Sequence, residues 1–155
     1  YVNPVQVNVQ DLYKKGTVRY TIDGSEPIES SPVFNKILDI QQTTVVKARM
    51  FYPDQLPGPV VTNTYFITEH FDQRKLPVIS LSTHPDYFYD RDSGLYVQTF
   101  KPTWEYPIHL EFYQADGLIG FHHDAGVQIG GLNAWILPQK YSGSSASPTL
   151  TAKLL

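Results

Sequence analysis

The sequence predicts a mainly β protein in two parts, a β-sandwich followed by a second antiparallel β-rich unit with a short helical turn. Three observations carry that expectation. Apolar residues recur at every second position in several short runs, which is the period of a half-buried strand. Asp-Gly pairs at Asp23-Gly24 and Asp116-Gly117 supply turns, and 12 Pro and 10 Gly punctuate the chain often enough for many short strands. Hydrophobic residues make up 41% and charged residues only 17%, a balance that belongs to a folded chain rather than a disordered one.

The first strand places Val18, Tyr20 and Ile22 on one face and Arg19 and Thr21 on the other, after which Asp23-Gly24 offers the positive φ of a tight hairpin turn. The run Val45 to Tyr52 alternates again, setting Val46, Ala48 and Met50 against Lys47 and Arg49. A third run, Val60 to Ile67, closes the unit. The polar stretch Thr68 to Lys75 then reads as a linker, so the boundary falls near residue 70 and the units span residues 1–69 and 70–155.

Leu76 to Leu81 has strand character. Thr83 is placed to cap a helical turn over His84 to Asp90, with Pro85 at its first position and Asp86 in its first turn, and Asp90 to Gly94 makes a loop. Leu95 to Thr99, Tyr106 to Gln114 and Asp124 to Gly130 follow as strands. Within the middle one, Ile108, Leu110 and Phe112 face inward while His109, Glu111 and Tyr113 take the other side. From about residue 141 the segment YSGSSASP has neither alternation nor β-branched residues, and an irregular tail is expected.

The order RYTIDGSEP (Arg19 to Pro27), TTVVKARMFY, VVTNTYFI resembles the small immunoglobulin-like β-sandwich module at the C-terminus of chitobiases and β-hexosaminidases. The resemblance covers roughly residues 4 to 67 and is most specific at Tyr20 to Pro27. In that family the module accompanies a catalytic domain and carries no catalytic residues, so the resemblance implies carbohydrate context without carbohydrate chemistry. Farther on, LPVISLSTHPDYFYDRDSGLYV, WEYPIHLEFYQADG and DAGVQIGG with LPQK resemble the N-terminal part of the CotH family of extracytoplasmic kinase-like proteins. That resemblance sets Gly130 and Gly131 in a nucleotide-facing hairpin and Lys140 at the position of a phosphate-contacting lysine. Past Lys140 the family pattern stops, and an altered, frameshifted or truncated C-terminus is the expectation.

A net charge of -3 and a pI near 5.9, with the 12 Lys and Arg scattered, exclude a nucleic-acid footprint. No apolar run approaches the roughly 18 to 20 residues that span a bilayer. The absence of Cys excludes disulfides and thiolate chemistry. A start at Tyr1 without Met or a leader reads as an excised or mature fragment, and the family context points to a secreted, periplasmic or cell-surface location.

Each candidate site competes with a plainer reading. His122-His123-Asp124 with His109 and Glu111 has metal-ligand residue types, but adjacent strand histidines point to opposite faces, and a solvated turn accounts for them. Asp90, Asp92 and Gly94 resemble the start of a calcium loop, yet Lys101 stands where the glutamate should be, so they read as a turn. Glycoside hydrolysis would require a cleft holding two carboxylates; Glu111 and Asp124 are the only such pair on expected adjacent strands, and nothing in their surroundings favours that chemistry. No residue is assigned a catalytic role, no metal is assigned and no cofactor is called for. Tyr87, Tyr89, Trp104, Tyr106 and Trp135 are candidates for stacking on sugar rings, against the reading that they cover thin cores. The expected function is that of a non-catalytic accessory, binding or spacer segment, its partner a glycan or the catalytic domain of a parent protein. The alternatives are a carbohydrate-binding module proper and the nucleotide-facing start of a CotH-like kinase.

Overall fold

A computed structural model of the chain describes residues 1, 3–9, 11, 16–35, 37–67, 76–96, 101, 103–130 and 149–154. Their fold is mainly β, with three antiparallel sheets and one short helix. Strands β1 (Val5–Val7) and β3 (Leu38–Ile40) pair with each other. Strands β2 (Thr17–Thr21), β4 (Thr44–Phe51) and β5 (Val60–Tyr65) form a second sheet in the order β2-β4-β5. Strands β6 (Val78–Ser82), β7 (Tyr106–Tyr113), β8 (Ile119–Gly130) and β9 (Thr149–Leu154) form the third, in sequence order. By contacts the chain divides into two compact units, Tyr1–Ser80 with Glu111–Phe121 and Leu81–Leu110 with His122–Leu155.

In the first unit, Val46 of β4 packs on Val7 of β1 and Ile40 of β3, with Val5, Leu38 and Tyr65 around them. Two sheets therefore share one apolar layer, which is the defining contact of a sandwich. The register sets Val18 opposite Met50 and Tyr20 opposite Ala48, so the alternation read from the sequence does assemble one buried face.

Two details of that reading need correction. β2 ends at Thr21, and Ile22 is 56% exposed, because the chain turns as soon as the Thr21 hydroxyl donates to the Ser25 carbonyl. Gly24 has φ 89°, as a turn glycine should, but the return strand is not immediate. The chain comes back beside β2 only at Val33, where Tyr20 N–H donates to Pro32 O and Phe34 N–H to Val18 O. Lys47, assigned to the outer face, is only 6% exposed, and its register partner Thr62 is buried too. Both faces of the β4-β5 pair are covered.

In the second unit the helix α1 (Pro85–Tyr89) begins with Pro85, as expected, but its cap is His84 rather than Thr83. The His84 Nδ1 accepts from Asp86 N–H, whereas the buried Thr83 hydroxyl donates to the Pro107 carbonyl at 2.5 Å and ties α1 to β7. Asp90 Oδ1 accepts from the N–H groups of Asp92 and Ser93 and from the Ser93 hydroxyl, so the DRDSG segment is a turn closed on its own carboxylate. The Ser93 hydroxyl first, then the two N–H groups, hold that carboxyl below its ordinary value. Gly94 sits so close to this turn that a Cβ would lie 2.6 Å from the Asp90 carbonyl oxygen.

Leu95 and Tyr96, expected in a strand, instead donate their N–H groups to Tyr87 O and Phe88 O and close a turn against α1. Residues 97–99 of that expected strand lie outside the described residues. Leu95 then joins Ile108, Ala125, Val127 and Ile129 in a core that Leu81, Phe88, Trp104, Tyr106 and Leu110 surround. The tail expected from about 141 is not irregular throughout. Residues 149–154 form β9, paired with β8 from Gly130↔Thr149 to Ala125↔Leu154. Thr149, Leu150 and Thr151 suit an extended strand, and β9 gives the backbone groups of β8 partners.

Candidate functional site

The site with the most chemistry lies in the first unit, at the free edge of β5. β5 is the last strand of its sheet, so the outward N–H and C=O groups of alternate residues lack a neighbouring strand. At Thr64 both are engaged by side chains. Its N–H donates to Glu111 Oε1 at 3.1 Å, and its carbonyl lies 3.0 Å from the Tyr113 hydroxyl, whose one hydrogen is shared between this carbonyl and Glu111 Oε1. Glu111 and Tyr113 thus stand in for the missing strand.

Glu111 belongs to the side of β7 that alternation assigned outward with His109 and Tyr113, yet it is only 1% exposed. A buried carboxylate demands hydrogen-bond donors, and three surround it. Besides the Thr64 N–H, the Thr64 hydroxyl donates to Oε2, and the Tyr113 hydroxyl lies 2.8 Å from Oε1. With the Thr64 hydrogen directed at Glu111, the Ser80 hydroxyl at 2.8 Å donates to Thr64 in turn. Burial first, and then the hydrogen bond and charge of Glu111, raise the Tyr113 phenol well above its ordinary value, so it remains a neutral donor.

Beside this closure lies a cavity of about 820 Å³, lined in part by Asn63, Tyr65, Phe66, Tyr113, Asp116 and Ile119. The ring of Phe66 meets that of Tyr113 edge to face at 5.3 Å. Asp116 Oδ1 accepts from Leu118 N–H and, with Gly117 at φ 84°, shapes the turn that forms one wall. None of these lining residues is among the site candidates of the sequence: Tyr113 is assigned there only to the outer side of its strand, Asp116 only to a turn, and Asn63, Tyr65 and Phe66 are not singled out at all. Their signal was present as a polar-aromatic pair two apart, in Asn63 and Tyr65, but its meaning depended on which face of β5 was already covered.

The expected site residues scatter. His109 Nδ1 bonds Asp124 Oδ1 at 2.8 Å, and its ring lies 5.7 Å from that of His122. Its Nε2 is buried without a partner among the described residues. Glu111, proposed beside it for metal or acid-base work, is engaged with Thr64 and Tyr113 instead. The two carboxylates considered for hydrolysis are therefore committed separately, Glu111 in its buried network and Asp124 to His109. Among the described residues, no group of three or more His, Asp or Glu is arranged to hold a metal ion.

Of the aromatic candidates, Tyr87 and Tyr106 stack on each other at 4.7 Å with their planes 9° apart, and the Tyr106 hydroxyl donates to Ser93 O. Trp104 packs on the second core. Tyr89 is 74% exposed and stacks on Tyr96. Gly130 is the last residue of β8, while Gly131, Trp135 and Lys140 lie outside the described residues.

Residues 7–65 match the family model described as Fn3 associated. The matched stretch runs from the end of β1 through β5 and ends at Tyr65, so it spans the sandwich. It coincides with the segment that resembles the chitobiase-type module. No curated protein and no solved structure matches the chain.

Proposed function

We propose that this chain is a non-catalytic accessory segment, a spacer or binding module of a larger secreted or surface protein whose chemistry concerns carbohydrate. The observation that carries the reading is the Fn3-associated match over the sandwich, on the same segment that resembles the chitobiase-type modules, which accompany catalytic domains. The state of Glu111 supports it. A carboxylate that accepts three bonds from its own framework while buried is committed to holding strand edges together, whereas a general acid or nucleophile must face a reacting atom.

The test is turnover by the purified chain. Chromogenic glycosides and labelled ATP should both stay at background, because Glu111 and Asp124 are committed to separate partners and, among the described residues, no three His, Asp or Glu are arranged to hold a metal ion. Glycoside turnover abolished by Asp124→Asn would overturn the accessory reading. ATP-dependent labelling abolished by Lys140→Ala would overturn it in favour of the nucleotide-facing start of a CotH-like kinase.

A further inference from the structure

The cavity beside the β5 edge is lined by none of the expected site residues. Its volume of about 820 Å³ falls within the range of small-ligand pockets. Its aromatic wall is held in place: the Tyr113 hydroxyl is bonded to Thr64 and Glu111, and the Tyr113 ring is braced edge to face by Phe66. A wall fixed in this way presents apolar ring surface without losing rotamer freedom when a ligand arrives.

The polar groups at the cavity are open. Asn63 and Tyr65 sit two apart on one face of β5, and among the described residues neither side chain forms a hydrogen bond. An amide and a phenol can each both donate and accept, which is the complement of a hydroxyl. Burial raises the Tyr65 phenol above its ordinary value, the charges of Tyr1 and Glu111 adding to the effect, so its proton is retained at neutral pH. Charge narrows the ligand further. Among the described lining residues Asp116 brings a carboxylate, there is no Lys or Arg side chain, and the Tyr1 ammonium is already donating to the Phe66 carbonyl, so a phosphate or carboxylate meets no open cationic fork.

We infer that this cavity binds a neutral, hydroxyl-bearing ring, the pyranose of a glycan, with its C–H face against the Phe66 and Tyr113 wall and its hydroxyls on Asn63 and Tyr65. The aromatic wall takes the apolar face of the sugar, and the two open polar groups fix its orientation. The site gives the accessory reading a ligand, yet it would stand even if the chain proved catalytic, since it uses none of the residues tested for turnover.

The experiment is an NMR titration of the full chain with methyl β-glucoside, a β-1,4-linked glucose tetramer and glucose 6-phosphate. The neutral probes should shift the amides of residues 63–66 and 116–119 saturably, and the phosphate should bind more weakly. Tyr65→Phe, which keeps the ring, and Asn63→Ala should each weaken the tetramer by about five- to tenfold, the worth of one hydrogen bond. Tyr52→Phe, which is outside the lining, should leave the affinity unchanged. Absence of saturable shifts with both neutral probes, tighter binding of the phosphate, or wild-type affinity in both the Tyr65 and Asn63 variants would overturn the assignment.

Discussion

Two polar clusters, one in each unit, treat their polar atoms differently. In the first unit, Glu111, Thr64, Tyr113 and Ser80 form a network in which both carboxylate oxygens, the Thr64 N–H and the Thr64 carbonyl are all engaged. In the second, His109 bonds Asp124 through one ring nitrogen while the other is buried without a partner among the described residues, and the Asp124 side chain is 81% exposed. The difference separates a framework from an attachment. A closed network in a low-dielectric setting loses several bonds when one member goes, whereas a pair with one exposed partner loses little, because water replaces what is removed.

The sharpest way to break the comparison is Glu111→Ala. It strands the Thr64 N–H, the Thr64 hydroxyl and one acceptor of the Tyr113 hydroxyl, and a loss of roughly 3 kcal/mol or more is expected in urea denaturation. A midpoint within error of the parent chain would show that the network does not hold the β5 edge. Tyr113→Phe removes one hydroxyl and leaves its acceptors in place, so about 1 to 2 kcal/mol is expected.

That variant also carries a pH signature. The Tyr113 phenol is raised in the folded state above the 10.0 of an unperturbed tyrosine, so its contribution is fully present below that pH and is lost as pH rises toward the folded value. The parent chain should therefore lose stability above about pH 10, and Tyr113→Phe should flatten that slope. An identical alkaline slope in both proteins would assign the loss to other groups.

The smallest effect belongs to the second cluster. Asp124→Asn keeps an acceptor for His109 and changes a mostly exposed charge, so the stability should move by less than about 1 kcal/mol. A loss as large as that of Glu111→Ala would mean that the two clusters are alike and that exposure is a poor guide here.

Much of the fold was legible in the chain because local rules suffice for it. Strands β2, β4 and β7 fall where alternation places them, β5 and β6 fall within the runs read as strands, Pro85 opens α1, and Gly117 turns the chain between β7 and β8. The misreadings have a common cause. Thr83, Lys47 and Glu111 are polar residues that local reasoning assigned to a cap or an outer face, and each is buried. For Thr83 and Glu111 the partner lies far along the sequence, 24 positions away at Pro107 and 47 at Thr64. The β9 pairing escaped notice for the same reason, since an edge acquires its partner only when a distant segment reaches it.

Periodicity, turn residues and an Fn3-associated pattern over residues 7–65 were thus determined by the sequence itself, because each depends on residues a few positions apart. Tertiary structure alone decided which polar groups would be buried and which would remain open at the cavity. Asn63 and Thr64 are neighbours of similar polarity and both line the cavity, yet the Asn63 amide is unengaged while Thr64 is locked to Glu111 and Tyr113. Adjacent residues on a strand point to opposite faces, and only packing, here against Ser80 and β7, decided which of the two found partners for its polar atoms.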